Sequence, residues 1–233
     1  MNALEPNLKS AIDAGRDDIM RSLLREVHED IYAIRLLTDD ACRRLNEDAK
    51  DLEHWYNSQA MLLERPNSMN DYGFIMDQHG YHVALKELVS KVVSPLATAA
   101  FKDVGGQSLD QHHGFVVSYG PAADRVLGFH VDDSEVTLNL CLSDDFEGGD
   151  LFFRGRRCLA HTEVPPLGTE FFEYAHQPGV ALLHAGKHRH GAFPTDDGER
   201  RNVILWCRSS SYRAHRLKNP GCPKWCQKSL NGA

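Results

Sequence analysis

From Gly114 to Cys207 the chain is cut into short β-branched and aromatic runs, each bounded by Gly, Pro or Asp. Such runs have the length of strands rather than helices. They are Phe115–Tyr119, Val126–Val131, Glu135–Leu142, Leu151–Phe153, Glu170–Tyr174, Val180–His184 and Asn202–Cys207. Within Glu135–Leu142, the side chains of Val136, Leu138, Leu140 and Leu142 fall on one face. Thr137, Asn139 and Cys141 fall on the other, so one side is apolar and the other is a small polar lining. About seven short strands joined by tight turns predict a double-sheet jelly roll with an open mouth between its sheets.

The first 60 residues read as helical, with Ile12, Ile19, Leu23, Leu24, Val27 and Ile31 at helix-like spacing among charges. Thr38-Asp39-Asp40 supplies a helix N-cap, with Cys42, Leu45 and Leu52 on one face of the helix that follows. Arg65 to Gly73 is turn-rich and breaks the pattern. A further amphipathic helix is predicted near Tyr81–Phe101, with Leu85, Leu88, Val89, Val92 and Val93 inward and Pro95 kinking or ending it. The 233 residues therefore divide into a helical and loop region over 1–105, a jelly-roll core over 106–212 and a tail over 213–233. The predicted class is an all-β core with an α flank, a double-stranded β-helix packed against N-terminal helices.

Composition excludes several classes. A net charge of -7 is the wrong sign for holding a phosphate backbone, so no nucleic-acid partner is expected. The basic runs Arg154-Gly155-Arg156-Arg157 and Arg213–Lys218 read as solvated surface. A mean hydropathy of -0.44 and the lack of a long apolar run predict no membrane span, and the N-terminus has no secretory pattern. The six cysteines are scattered (Cys42, Cys141, Cys158, Cys207, Cys222, Cys226), which suits a reducing, cytoplasmic setting better than a disulfide framework. Cys222 and Cys226 form a C-x3-C pair that could donate two thiolates to zinc, but no second pair at matching spacing accompanies it.

Two stretches carry chemistry. In His130-Val131-Asp132 the residues i and i+2 of a strand end face one space. Downstream, His184, His188 and His190 precede Arg200, which lies ten residues after the last of them and opens a strongly apolar strand. His130, Asp132 and one downstream histidine make a two-His, one-carboxylate set. Three ligands on one face of an octahedron leave open positions, the pattern of non-haem Fe(II) oxygenases rather than of closed structural zinc. A 2-oxo acid takes two of those positions and dioxygen the third. Arg200 suits the far carboxylate of 2-oxoglutarate, because a guanidinium fork pairs with it bidentately. The spacing selects His190 as the ligand, with His188 in the turn and His184 behind the metal or in the core. If Arg200 faces the pocket, Arg201 faces away. Asn139 has the parity to line the barrel and polarise the oxo acid, or to be plain core lining.

The order FVVSY, LGFHVDDSEVTLNLCL, FEGGDLFF and PGVALLHAGKHRHGAFPTDDGERRNVILW resembles the prolyl and lysyl hydroxylase branch of the 2-oxoglutarate- and Fe(II)-dependent oxygenases. With RPNSMNDYG, it most resembles the oxoglutarate and iron-dependent oxygenase domain-containing family of animals and plants. The resemblance covers roughly residues 30–209; residues 1–25 and the tail after Tyr212 carry no motif of it. It implies Fe(II) held by His130, Asp132 and His190, with 2-oxoglutarate on Arg200 and Tyr119, dioxygen as oxidant and ascorbate as an accessory reductant. It also implies hydroxylation of an amino-acid or protein side chain. Desaturation or cyclisation of a small amino-acid-derived metabolite, or a non-catalytic metal-binding jelly roll, are the other readings. Asp133 and Glu135 beside the ligand either favour a basic substrate or are solvated edge charges. The segment Arg65–Gly73 either walls the mouth or is a rigid loop.

Overall fold

The molecule is built on two facing antiparallel sheets, with strands numbered here along the chain. In a computed structural model, residues 3–230 are described; Met1, Asn2 and residues 231–233, the ends of the predicted N-terminal region and tail, lie outside the described residues. The larger sheet has the order β1 (Arg25–His28), β2 (Ile31–Arg35), β10 (Val180–Ala185), β6 (Val136–Cys141), β13 (Arg200–Arg208), β4 (Gln111–Tyr119) and β3 (Gly73–Ile75). The smaller has the order β5 (Leu127–His130), β11 (His188–Ala192), β8 (Leu151–Arg156) and β9 (Phe171–Tyr174). A ribbon of β12 (Thr195–Gly198) with β7 (Phe146–Gly148) joins them at one end. This is the double-stranded β-helix that the strand pattern predicts.

The alternation on β6 decides which side is which. Val136, Leu138 and Leu140 are buried in a cluster with Val116, Val203, Leu205 and helix residues Leu85, Val92 and Leu96. Burying each such side chain contributes about 1.5–3 kcal/mol. Thr137 and Asn139 point into the barrel, as predicted. The helices α1 (Pro6–Asp13), α2 (Asp17–Ser22), α3 (Asp39–Ser58), α4 (His82–Leu88) and α5 (Ser94–Ala100) contribute to the same cluster. Thr38 caps α3, its hydroxyl oxygen accepting from the Ala41 N–H at 3.2 Å. Pro95 does not break its helix. A π-helical turn over Val89–Val93 joins α4 to α5 without interruption. Proline has no N–H to give the preceding turn and its ring crowds that turn, and widening the turn removes both conflicts. After β13 come α6 (Ser210–Lys218) and α7 (Lys224–Leu230). No helix among the described residues is long and apolar enough to cross a membrane.

Three sequence expectations are corrected here. Val27 and Ile31 lie not on a helix but on the β1–β2 hairpin, which turns at Asp30 with φ 58°. β2 then pairs along its whole length with β10, so the larger sheet draws on residues from the predicted helical region. An apolar set at 3–4-residue spacing also fits strand alternation over so short a stretch, and the open edge of β10 decides the outcome. His188 begins strand β11 rather than lying in the turn. The basic run after Phe153 is not solvated. Arg157 is 1% exposed and forks onto Glu170 at 2.6 and 2.7 Å, and Arg156 reaches Asp30 and Asp103.

Arg201 faces away from the barrel, as strand parity requires, and fastens α3 to β13. Its guanidinium donates to Ser118 Oγ, Asn46 Oδ1, Glu53 Oε2 and Glu199 Oε1 at 3.1, 2.8, 2.8 and 2.5 Å, and the residue is 1% exposed. Arg201→Ala leaves the half-buried Glu53 carboxylate with only the Ser118 hydroxyl for a partner among the described residues. The expected cost is about 3 kcal/mol of unfolding free energy, read from urea denaturation. Arg201→Lys should recover only part of it, because one ammonium cannot serve four acceptors.

Candidate metal centre

The antiparallel register of β5 and β11 sets His130 directly opposite His190, and the two ring centroids are 4.3 Å apart. Asp132 follows just past the end of β5, where its N–H donates to Gly186 O at 2.8 Å and fixes the chain. Its Oδ1 lies 3.3 Å from His130 Nε2 and its Oδ2 3.7 Å from His190 Nε2. The three donor atoms lie within 4.8 Å of one another, close enough to share one ion.

Each donor is aimed by a second bond. His130 Nδ1 donates to Gly128 O at 2.7 Å and His190 Nδ1 to His188 O at 2.8 Å. A ring that donates through Nδ1 keeps its Nε2 lone pair for a metal. Thr137 Oγ1 donates to Asp132 Oδ2 at 2.6 Å, and Ser134 and Thr137 share a hydroxyl hydrogen bond at 2.7 Å. Phe153 lies over His190 with centroids 5.5 Å apart and planes 20° from parallel.

Burial and charge act in opposite directions on the cluster. Burial opposes ionisation of Asp132, but the surrounding imidazoles of His190, His130 and His184 outweigh it and hold the carboxyl well below its usual range. Burial pushes His190 down to about 3, against the pull of Asp132. For His130 burial also favours the neutral ring, yet its bond to Asp132 wins and raises its pKa. His184 is fully buried; its Nε2 has no hydrogen-bond partner and lies 4.0 Å from Asp132 Oδ2. Of the three downstream histidines, His190 is the one grouped with His130 and Asp132, while His188 packs edge-on against Phe153.

The opposite wall of the same cavity holds Tyr119, Asn139 and Arg200. Arg200 is 1% exposed, and no carboxylate lies within salt-bridge reach of it among the described residues. Its Nη1 donates to Gly149 O and its Nε has no partner. Gly149 has φ +72°, and a Cβ there would stand 3.1 Å from the Arg200 Cδ, so glycine leaves room for the side chain to pass. A buried guanidinium without a counter-ion is costly, and an anion entering the cavity removes that cost. Arg200 lies over the Tyr119 ring, 5.4 Å from its centroid.

The segment Arg65–Gly73 contributes Asn67 and Asn70 to this wall, and two polar residues not singled out in the sequence, Asn202 and His176, support it. Asn70, from the turn-rich segment, donates to Tyr119 Oη at 3.1 Å, and Asn67 accepts from the N–H groups of Met69 and Asn70. The segment is thus both a rigid loop and part of the wall. Asn202 donates to Asn139 Oδ1 at 2.6 Å and to His176 Nδ1 at 3.2 Å. Burial, with the nearby Arg200 charge, pushes His176 down to about 3, so its neutral ring donates from Nε2 to Val180 O and accepts at Nδ1. Asp133 and Glu135 do not face the cavity; they hold Arg208 and Arg213. A larger cleft of about 610 Å³ between α3 and α4 is lined mainly by aliphatic side chains and presents no such donor set.

Comparisons with known proteins show what the chain as a whole is similar to. A family model for the OGFOD2-like domain matches residues 1–106. It includes the first 25 residues, for which the motifs alone gave no resemblance. The chain is 41% identical over 221 residues to the 2-oxoglutarate and iron-dependent oxygenase domain-containing protein CP2 of Arabidopsis thaliana, covering 95% of this chain and 56% of that protein. It is 36% identical over 209 residues to 2-oxoglutarate and iron-dependent oxygenase domain-containing protein 2 of Xenopus tropicalis, covering 88% and 56%. The chain thus spans about half the length of these relatives. Among solved structures it superposes on a prolyl hydroxylase from Trichoplax adhaerens, bound there to a hypoxia inducible factor peptide fragment. The TM-score is 0.62 at 14% identity, over 87% of this chain and 95% of that one.

Protons compete with a metal for Nε2 of His130, whose pKa stands above its ordinary value. Affinity for Mn(II), a redox-silent probe, should therefore fall about tenfold per pH unit once the pH drops below that pKa. Isothermal titration from about pH 8 to about pH 5.5 reads this directly. A flat profile would contradict the site.

Proposed function

We propose that this chain, which resembles the 2-oxoglutarate and iron-dependent oxygenase domain-containing proteins over most of its length, is an Fe(II)- and 2-oxoglutarate-dependent hydroxylase of that family. The proposed reaction inserts one atom of dioxygen into an unactivated C–H bond of an amino-acid or protein side chain. The other atom goes to succinate as 2-oxoglutarate loses carbon dioxide. One observation carries the reading: three donors converge on one side of a cavity whose far wall is a buried arginine without a counter-ion.

The donor set suits Fe(II), with two neutral imidazoles and one carboxylate, each oriented by its own hydrogen bond. His130, Asp132 and His190 would hold the iron, which when bound supplies the redox chemistry with dioxygen, with ascorbate able to keep it reduced. Arg200 would bind the 5-carboxylate of 2-oxoglutarate through its free Nε and outer nitrogens, with Tyr119 beside it. Asn139 has its oxygen occupied by Asn202, so it has amide hydrogens left to offer the oxo acid. The apolar residues Leu127, Leu151 and Ile204 line the space between and keep it dry.

For the substrate, a cleft of about 440 Å³ adjoins the cavity and shares Asn67, Met69 and Trp206 with it. That shape suits a side chain reaching inward from a peptide or a free amino acid lying across the opening. Asp133 and Arg208 also line the cleft but already pair with each other, which removes the argument for a basic substrate.

Purified chain with Fe(II), ascorbate and 2-oxoglutarate should release succinate, and His130→Ala should not. Arg200→Leu should raise the KM for 2-oxoglutarate on the order of 100-fold, since it loses a charge-assisted fork, and should lose the preference for 2-oxoglutarate over pyruvate. An unchanged preference would remove Arg200 from the role. With candidate peptides, a gain of one oxygen by mass spectrometry marks hydroxylation, and a loss of two hydrogens marks desaturation or cyclisation instead.

A further inference from the structure

A second cluster of metal-ligating side chains stands outside the barrel mouth. Cys158 and His161 lie on the turn that follows β8, and Cys222 and Cys226 lie at the start of α7, more than 60 residues later in the chain. The four donor atoms lie within 4.8 Å of one another. His161 Nδ1 is 3.3, 3.5 and 3.6 Å from the sulfurs of Cys158, Cys222 and Cys226, and the Cys158 and Cys222 sulfurs are 3.9 Å apart. A tetrahedral zinc ion, with bonds of about 2.3 Å to sulfur and about 2.0–2.1 Å to nitrogen, requires edges of roughly 3.8 Å between sulfurs and roughly 3.5 Å from sulfur to nitrogen. The measured separations match those edges, with His161 at the apex over the three sulfurs.

We propose that Cys158, His161, Cys222 and Cys226 form a structural zinc site that fastens the C-terminal helix to the oxygenase barrel. The donors are soft, three thiolates and one imidazole, and select Zn(II), whereas the His130, Asp132 and His190 set selects a metal with open positions for chemistry. All four tetrahedral positions are filled by the protein, which is the closed arrangement of a structural ion. The Cys158 N–H donates to the Cys226 sulfur at 3.3 Å, a bond that stabilises a thiolate there. The C-x3-C pair in the tail thus has its missing half in a C-x2-H pair on a different element.

The fold has a use for such a fastening. α6 buries none of its residues, and Trp225 and Cys226 are the buried anchors of α7. The turn bearing Cys158 and His161 is tied in turn to the catalytic strand, since Arg189 of β11 donates to Thr162 O and Val164 O at 3.0 and 2.5 Å. One ion joins the tail, the turn and the strand carrying His190.

The chain purified without added zinc should carry about one zinc ion by plasma mass spectrometry, and should keep it when the iron is stripped with a mild chelator. His130→Ala should retain that zinc; Cys226→Ser and His161→Ala should lose it and melt roughly 10 °C or more lower. Should those variants fail to fold, the wild-type chain reconstituted with Co(II) provides the readout: thiolate-to-cobalt charge transfer and intense visible bands of tetrahedral cobalt are expected. Reduced, folded wild-type chain that takes up no zinc and gives no such cobalt spectrum would overturn the site, as would a disulfide among these cysteines in the native protein or full zinc content in Cys226→Ser.

Discussion

Two adjacent arginines on one strand, both buried, are sent in opposite directions by the two-residue period of a β-strand. The fastening of α3 to the sheet and the positive charge inside the barrel both follow from that constraint on β13. Arg201 points outward and finds two carboxylates, an amide and a hydroxyl, so its charge is fully satisfied. Arg200 points inward and finds one carbonyl. The same strand thus has a structural clamp on one face and, on the other, a buried guanidinium with no carboxylate within salt-bridge reach among the described residues. Neither role tolerates a shift of register by one residue, because that would exchange them.

Without a metal, the donor cluster is a set of compromises. Three imidazoles surround one carboxylate, and burial makes charge on any of them costly. The carboxyl is held well below its usual range because His190, His130 and His184 together outweigh its burial, while burial pushes His190 and His184 towards the neutral ring. A divalent cation would place a larger positive charge at the same focus. Thr137 and the Gly128 and His188 carbonyls hold the donors in place before the ion arrives, so little is left to organise on binding.

Much of this was legible in the sequence, for a physical reason. Strand parity is exact over two residues, so Arg200 against Arg201 and Thr137 with Asn139 could be placed on faces from their numbers alone, and His130 with Asp132 from the spacing at a strand end. The N-cap at Thr38 was legible for the same reason, being a contact three residues long. What failed depends on partners far along the chain. Val27 and Ile31 fit two periods until β10 offers them an edge. The run Arg154–Arg157 advertises charge but not Glu170, Asp30 and Asp103, which bury it. Asn70 meets Tyr119, and Cys158 meets Cys222, across 49 and 64 residues of sequence, distances over which no local pattern operates.

The two groups of candidate metal donors are linked by strand β11. His190 faces the cavity, and the residue before it, Arg189, faces the other way. Arg189 is 2% exposed and meets no carboxylate at salt-bridge distance among the described residues; it donates to carbonyls of Arg154, Gly155, Thr162 and Val164. Thr162 and Val164 lie on the connection after β8, outside any strand, and a guanidinium with several donors satisfies their carbonyls in place of a ladder while also holding β8. Movement of that connection therefore reaches the backbone next to His190 through one side chain. A closed four-donor ion at Cys158 and His161 would limit that movement from outside, while the open three-donor ion acts within. The rigidity that a metal-ligand geometry needs is then supplied from both faces of a single strand.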